Sequence, residues 1–340
     1  MNIEENVSLK SYNTFGLDAK ASIFVQPKDE KDVSKLLQGG LLASERFFIL
    51  GGGSNIVFVA DFAGVVVRMA NKGISIVSED DRRVVVEAQA GEVWSDFAWD
   101  MTRRGFYGLE NLVEIPGCVG AAPVQNVGAY GVEAKDVIKA VVAYEIATGC
   151  KRIFTNTDCK FGYRDSVFKN ELKDKYIVFS VMFELHKDRT CTKTDYSAIS
   201  NGLKERNILS PTPMQVAEVV ADIRKQKLPD TKEIGSAGSF FKNPIVGEQK
   251  LELLMKDYPT IVHYASGDGK YKLAAAWLIE QCGWKGKSLG RVGVYAKQAL
   301  VLVNNGGCTG SEVQKLSETI VADVENKFGV RLETEAIIVK

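Results

Sequence analysis

The sequence predicts a globular chain of mixed helix and strand, divided into two or three domains. Three observations carry that expectation. Its 340 residues are long for a single hydrophobic core. Strand-like and helix-like runs interleave along the whole length, with no internal repeat and no low-complexity stretch. Two glycine-rich loops, each following a strand-like run, interrupt the first half of the chain.

The elements follow in order. Residues 21–25 form a short apolar strand, and Pro27-Lys28-Asp29-Glu30 opens a helix to about Gln38 with acids in its first turn, where the helix dipole favours them. Residues 46–50 are a buried strand running into Gly51-Gly52-Gly53-Ser54-Asn55, after which 56–59 and 64–68 extend again. From Ile74 come apolar runs punctuated by glycine, then an amphipathic helix over about 92–104. The second glycine block spans 115–131, and strands return at 137–146 and 176–185. A helix over 213–227 is bracketed by Pro211 and Pro213 before it and Leu228-Pro229-Asp230 after, the best candidate domain boundary. Beyond it, 250–256, 273–282 and 311–328 read as helices, 299–303 as a strand, and 331–339 as a closing strand.

Composition excludes several function classes. With 45% hydrophobic and 25% charged residues, disorder is not the default. Lysine plus arginine and aspartate plus glutamate balance at 43 each, which argues against nucleic acid or an anionic membrane as partner. No apolar run approaches the roughly 20 residues that span a bilayer, and the acidic start Met1-Asn2-Ile3-Glu4-Glu5 is unlike a secretory leader, so a cytoplasmic chain is expected. The six cysteines lack any CxxC pair and read as free thiols. Only His186 and His263 are present, so no His-rich metal site is expected.

The first loop is neither common nucleotide motif. Gly51-x-Gly53 is followed by Ser54-Asn55-Ile56 with no third glycine opening a helix, and a P-loop's Gly-Lys-Ser/Thr is absent. Consecutive glycines still let backbone N–H groups converge on an anion, with Ser54 and Asn55 adding donors; a tight strand-to-strand turn is the competing reading. The second block carries four glycines and two prolines in seventeen residues, more than a plain connection needs. Together the two loops suit a dinucleotide gripped along its length.

At this point the chain resembles a known family, the UDP-N-acetylenolpyruvoylglucosamine reductases of peptidoglycan synthesis. The matching segments are Asn13-Thr14-Phe15-Gly16, 50–55, 115–131, 161–168, Lys227-Leu228-Pro229, 238–244, 273–281, 298–303 and 332–335, in the family's order across nearly the whole chain. The resemblance implies an α+β fold: a two-subdomain FAD-binding domain of the vanillyl-alcohol-oxidase (PCMH) type plus a C-terminal α+β substrate-binding domain. The implied boundaries are 1–70 and 71–228 for the two FAD subdomains, with 329–340 returning to the second, and 229–328 for the substrate domain. The stretch from Arg164 to Pro211 resembles the longer subclass with a substrate-capping tyrosine loop.

The resemblance also implies a reaction. NADPH reduces a non-covalently held FAD, and the hydride then passes to the outer carbon of an enolpyruvyl ether on a UDP-sugar, in the pocket that NADPH used. Arg164 matches the catalytic arginine, whose fork of donors suits the substrate carboxylate. Ser239 matches the proton donor and Glu335 the residue that shares the developing charge. Glu333 is the neighbour most easily confused with Glu335, because period-two alternation puts both on one strand face. By the same matching, FAD falls to Gly51, Gly52, Gly53, Ser54, Asn55, Pro116, Gly117, Gly120, Asn126, Gly128, Ala129, Tyr130, Gly131 and, from the helix before Lys227, Arg224. Tyr163, Tyr196, Lys227, Asn243, Tyr264, Lys272 and Gln298 fall on substrate positions. Partners are small molecules only, and a monomer is expected. One departure stands out: the family more often reads Glu-Pro-Glu followed by a basic residue, whereas here Thr334 replaces the proline and Ala336-Ile337-Ile338 carries no cation. A flavin oxidase of the same fold and a redox-inert sugar-nucleotide binder are the alternatives.

Overall fold

The computed structural model describes residues 1–340 and resolves into two compact units. The first holds Met1–Val7, Ala21–Gly52 and Ala63–Lys225; the second holds Ser8–Lys20, Gly53–Phe62 and Gln226–Lys340. The units interleave along the chain, where the sequence reading drew nearly contiguous segments.

In the first unit a four-stranded sheet has the order Asn2–Ser8, Lys20–Gln26, Phe62–Arg68, Phe47–Leu50. Phe47–Leu50 runs parallel to Phe62–Arg68, pairing Ile49 with Val67. The helix Glu30–Gln38 covers this sheet with Val33 and Leu36, both buried among Val25, Val65 and Val67. Its start is set by Asp29, whose side chain accepts from the Asp32 N–H at 2.8 Å.

A five-stranded antiparallel sheet forms the larger core of the same unit, in the order Lys151–Thr155, Ile138–Glu145, Tyr176–His186, Arg83–Gln89, Ile74–Glu79. The central strand Tyr176–His186 buries Val181, Phe183 and Leu185 completely, the alternation of a sheet covered on one face. What covers it is the helix Trp94–Arg103: Trp94, Phe97, Ala98 and Met101 recur at helical spacing, and Phe97 meets Phe183 with ring centroids 4.9 Å apart. Two further helices, Ser197–Glu205 and Pro213–Lys227, approach closely at Gly202, where a Cβ would sit 2.7 Å from Val219 Cγ1. The sequence reading lacked Asn2–Ser8, Ile74–Glu79 and Ser197–Glu205 as elements. Asn2–Ser8 is polar, both strands are almost wholly exposed, and the helix buries only Ile199 and Leu203, so none is bounded as an element from its own residues.

The second unit contains a sheet ordered Gly235–Ser239, Val301–Asn304, Val292–Val294, Ser288–Leu289, and a three-stranded sheet ordered Ile245–Gly247, Lys270–Leu273, His263–Ala265. Its longest helix, Gly310–Phe328, starts on a capping box between Thr309 and Glu312 and stops at Gly329, which adopts φ 60°. Val313, Leu316, Ile320, Val324 and Phe328 form its buried stripe. The Asn13-Thr14-Phe15-Gly16 motif belongs to this unit, far along the chain from its partners. Thr14 Oγ1 donates to the Ser236 carbonyl at 2.6 Å, and the Asn304 side chain donates to the Phe15 carbonyl at 3.0 Å. Phe15 is fully buried, and a Cβ at Gly235 would fall 2.2 Å from its carbonyl oxygen.

Two expectations for the C-terminal region are corrected. Leu273 ends a strand, Lys270–Leu273, and the helix is Ala275–Gln281, because the Asn243 side chain accepts from the Ala275 N–H and fixes the start there. The closing strand is Ile337–Val339 alone, parallel to Ile56–Phe58; residues 331–336 form no strand, and Thr334 makes an isolated bridge with Phe241. The ladder fails before Ile337 because the Glu335 carbonyl is taken by the Asn55 side chain. No helix of the chain is long and apolar enough to cross a membrane.

Candidate active site

Within the first unit the two glycine loops meet backbone to backbone. A Cβ at Gly52 would lie 2.6 Å from Gly117 Cα, and one at Gly51 would lie 3.1 Å from Ala121 Cβ. Gly120 is equally constrained: its N–H donates to the Ala90 carbonyl at 2.9 Å, and a Cβ would sit 2.6 Å from Ala90 Cβ. The N–H groups of Ala121, Gly52 and Gly120 converge on Cys118 Sγ, while desolvation, the larger effect, pushes the thiol above its ordinary pKa. These donors are committed within the protein, so what fits the dinucleotide expected from the sequence is the bare backbone of Gly51, Gly52 and Gly117, where no side chain bars close approach. Gly53 serves a different purpose and lies in the second unit. It has φ 69°, its carbonyl accepts from Thr14 N–H, and a Cβ would strike the Tyr12 carbonyl oxygen at 1.9 Å.

The second half of the long loop is a scaffold. Asn126 is fully buried at φ 47°; its amide donates to Glu133 Oε2 and the Gly162 carbonyl, and its Oδ1 accepts from Lys135 N–H. These three bonds commit its side chain to protein, so any contact with a cofactor falls to its backbone. Through Gly162 the side chain braces the turn that carries Tyr163 and Arg164. That turn is closed by reciprocal bonds between Gly162 and Asp165, and Arg164 sits in it at φ 54°, a strained value for a branched chain-end residue with a Cβ. The Arg164 guanidinium donates to the Gly128 carbonyl at 2.5 Å and stands 5.5 Å from the Tyr163 ring centroid. Asp165 is held by the Asn170 amide.

Tyr130, at φ 50°, joins this loop to the helix Pro213–Lys227. Its phenol is hydrogen-bonded to Arg224, whose Nε also donates to the Glu114 carbonyl at 3.0 Å. Burial holds the Tyr130 phenol above and the Arg224 guanidinium below their ordinary pKa values. The Tyr130 ring meets Tyr196 edge-on, with centroids 5.4 Å apart. Ala129 precedes Tyr130 in a two-residue strand, Gly131 is exposed at φ 80°, and Pro116 is exposed beside Gly117. Nothing in the sequence points to Glu114 or to Asn111, which donates to the Tyr130 carbonyl. Their partners lie 110 and 19 residues away, with no local motif to mark them.

In the second unit the backbone next to Ser239 lies against Glu335. Ser239 ends the strand Gly235–Ser239, paired with Val301, and the next residue, Phe240, accepts from Glu335 N–H at 2.8 Å. Asn55 lies against the same segment: its side chain donates to the Glu335 carbonyl and its own carbonyl accepts from Ile337 N–H. Glu333 is separated from Glu335 by environment. It is exposed and pairs with Lys242 at 3.1 Å, and the two acids do not share a strand face, since 331–336 is not a strand. Tyr264 and Lys272 are cross-strand neighbours on one face of the three-stranded sheet. Gln298 is spent partly on its own turn, accepting from Leu300 N–H, and Lys227 is exposed at the end of its helix.

Residues 229–339 match the family described as UDP-N-acetylenolpyruvoylglucosamine reductase, C-terminal domain, and residues 21–150 match an FAD binding domain. Among curated proteins, the UDP-N-acetylenolpyruvoylglucosamine reductase of Pseudomonas aeruginosa is 47% identical over 98% of both chains. That of Flavobacterium johnsoniae is 44% identical over 100% of both. The crystal structure of UDP-N-acetylenolpyruvylglucosamine reductase from Thermus caldophilus shares the fold, with a TM-score of 0.67 at 21% identity over 100% of each chain. The expected fold class, an α+β chain with an FAD-binding domain followed by a C-terminal α+β domain, is borne out. The chain belongs to the UDP-N-acetylenolpyruvoylglucosamine reductase family and is an FAD-dependent oxidoreductase.

Proposed function

We propose that this chain reduces the enolpyruvyl ether of UDP-N-acetylglucosamine enolpyruvate to UDP-N-acetylmuramate, for peptidoglycan synthesis in the cytoplasm, with NADPH as electron donor. The observation that supports the reading is the bond from Glu335 N–H to the carbonyl of Phe240, the residue after Ser239, which sets side by side the two segments that a reaction using a hydroxyl and a carboxyl would need. FAD, when bound, supplies a two-electron carrier between the nicotinamide and the enol ether. Residues 1–70 and 71–228 hold it without a covalent bond, with the backbone of Gly51, Gly52 and Gly117 on the pyrophosphate; residues 229–328 take the sugar nucleotide.

Hydride arriving at the outer carbon leaves negative charge on the inner carbon and its carboxylate. Arg164 holds that carboxylate, and its anchorage on Gly128 keeps the guanidinium oriented as charge builds. Ser239 gives its proton to the inner carbon, and Glu335, kept protonated, shares the developing charge. Lys227 and Lys272 face the diphosphate, Asn243, Tyr264 and Gln298 the rest of the nucleotide sugar, and Tyr163 and Tyr196 close over it. The chain acts as a monomer, and the two substrates bind in turn.

The test is anaerobic. Adding UDP-N-acetylglucosamine enolpyruvate to the FAD-loaded protein should trigger NADPH oxidation without oxygen; consumption only in air would replace this reading with an oxidase. Ser239→Ala should leave flavin reduction by NADPH largely intact while crippling reoxidation by the enol ether. An equal loss in both half-reactions would make Ser239 structural.

A further inference from the structure

The segment that carries Tyr196 is tied to the rest of its unit through a buried amide. Asn111 lies in the one-turn helix Glu110–Leu112 and is 1% exposed. Its Nδ2 donates to two carbonyls at 3.0 Å each, that of Tyr130 in the glycine-rich loop and that of Lys193, three residues before Tyr196. Its Oδ1 is buried with no hydrogen-bond partner, so the side chain is oriented by its donors alone. The turn beneath is rigid: Leu109, Leu112 and Val113 are fully buried, and Trp94 Nε1 donates to the Leu112 carbonyl at 2.9 Å.

The other polar contact at Lys193 is an ion pair of its Nζ with Asp136 at 3.1 Å, whose side chains are 55% and 31% exposed. Exposed pairs of that kind contribute little, whereas losing a buried donor that serves two carbonyls leaves both acceptors short of a partner. The edge-on contact of Tyr130 with Tyr196 completes a small closed loop of interactions: Asn111 to Tyr130, Tyr130 to Tyr196, and back through the chain to Lys193.

We propose that Asn111 is a positioning residue: it ties the Tyr196 segment to the backbone of the cofactor loop, so that Tyr196 is presented beside Tyr130 rather than left to search. The proposal rests on the reading of Tyr196 as a substrate-closing residue. Asn is required because its NH2 serves two acceptors at once; Asp would set carboxylate oxygens against both carbonyls.

The first test uses no substrate. In the FAD-loaded protein, Asn111→Ala should speed amide exchange across residues 193–200 by roughly tenfold or more, with the distant helix Gly310–Phe328 unchanged. Unchanged exchange at 193–200 overturns the tether whatever the chain reduces. The second test is a double-mutant cycle at saturating FAD. Asn111→Ala should raise KM for the enolpyruvyl sugar nucleotide by about tenfold with kcat nearly unchanged, and should add little to the KM of Tyr196→Ala. Fully multiplicative effects overturn the presentation role. Asn111→Asp, which keeps the volume, serves in both tests if the alanine variant does not accumulate as folded protein. A wild-type chain inert toward the enol ether overturns the proposed reaction and the presentation role with it, while the exchange result still decides the tether.

Discussion

Gly52→Ala is the sharpest probe of the cofactor cradle. The added methyl would lie 2.6 Å from Gly117 Cα and 2.9 Å from Gly117 C, against backbone that no rotamer change can clear. To reach ordinary contact at 3.4 Å the two loops must part by about 0.8 Å, the difference between those distances. Overpacking of this kind costs about 1–3 kcal/mol, and the strain falls on the backbone that receives the dinucleotide, so the FAD dissociation constant should rise roughly 5- to 150-fold. Gly51→Ala supplies an internal gradient. Its methyl meets Ala121 Cβ at 3.1 Å and Cys118 Sγ at 3.2 Å, side-chain atoms that yield by a few tenths of an ångström. Its effect should be several-fold smaller. The assay is fluorescence quenching of FAD on titration into apoprotein, with thermal unfolding of the apo form as a check on folding. FAD affinity unchanged in Gly52→Ala, or a larger loss in Gly51→Ala, would refute the account of the loops as a close-packed pyrophosphate cradle.

The remaining predictions address other parts of the molecule. Glu335→Gln should abolish most turnover of the enol ether, whereas Glu333→Gln, which loses only an exposed ion pair with Lys242, should stay within about threefold of wild type in kcat/KM; the reverse ranking would reassign the carboxyl. In native protein at pH 8, a thiol reagent should label exposed Cys150 and Cys191 first, while Cys159, pushed by burial to about 12, and Cys308, pushed to about 11, react only on unfolding. Early labelling of Cys159 would contradict its packing. Lys139, and then Arg83, hold the Glu184 carboxyl below its ordinary pKa. That lowered value makes its stabilisation present above the unfolded pKa and lost as pH falls through the folded one. Urea midpoints of wild type and Glu184→Gln should therefore differ at pH 7 and merge below the carboxylate range; a constant gap would place the effect elsewhere.

Much of the fold was legible locally. The helices Glu30–Gln38, Trp94–Arg103, Pro213–Lys227 and Gly310–Phe328 each show caps, proline brackets or a buried stripe within their own residues, and the structure has them within a few positions. The short strands of the three-stranded sheet were not legible, because three or four half-exposed residues carry no periodicity and only pairing defines them. The site divides the same way. The glycine loops are local chemistry, readable in the letters, whereas the Gly162–Asp165 turn is not. Asn126 as a brace, Asn111 as a tether and the split between Glu333 and Glu335 are not.

By itself the sequence determined which residues are available: glycines in two loops, and Arg164, Ser239 and Glu335 in motifs shared with its family. Tertiary structure alone decided which of these meet. Asn55 and Glu335 are 280 residues apart and share a hydrogen bond, and Thr14 reaches Ser236 across 222. Those pairings assign 8–20 and 53–62 to the same compact unit as the C-terminal third. The physical reason is that secondary structure follows from side-chain periodicity within a few turns, while a contact at long separation exists only when the whole chain has lost the entropy needed to form it. The glycine loops were written in the letters; that Gly52 rests on Gly117 was written only in the fold.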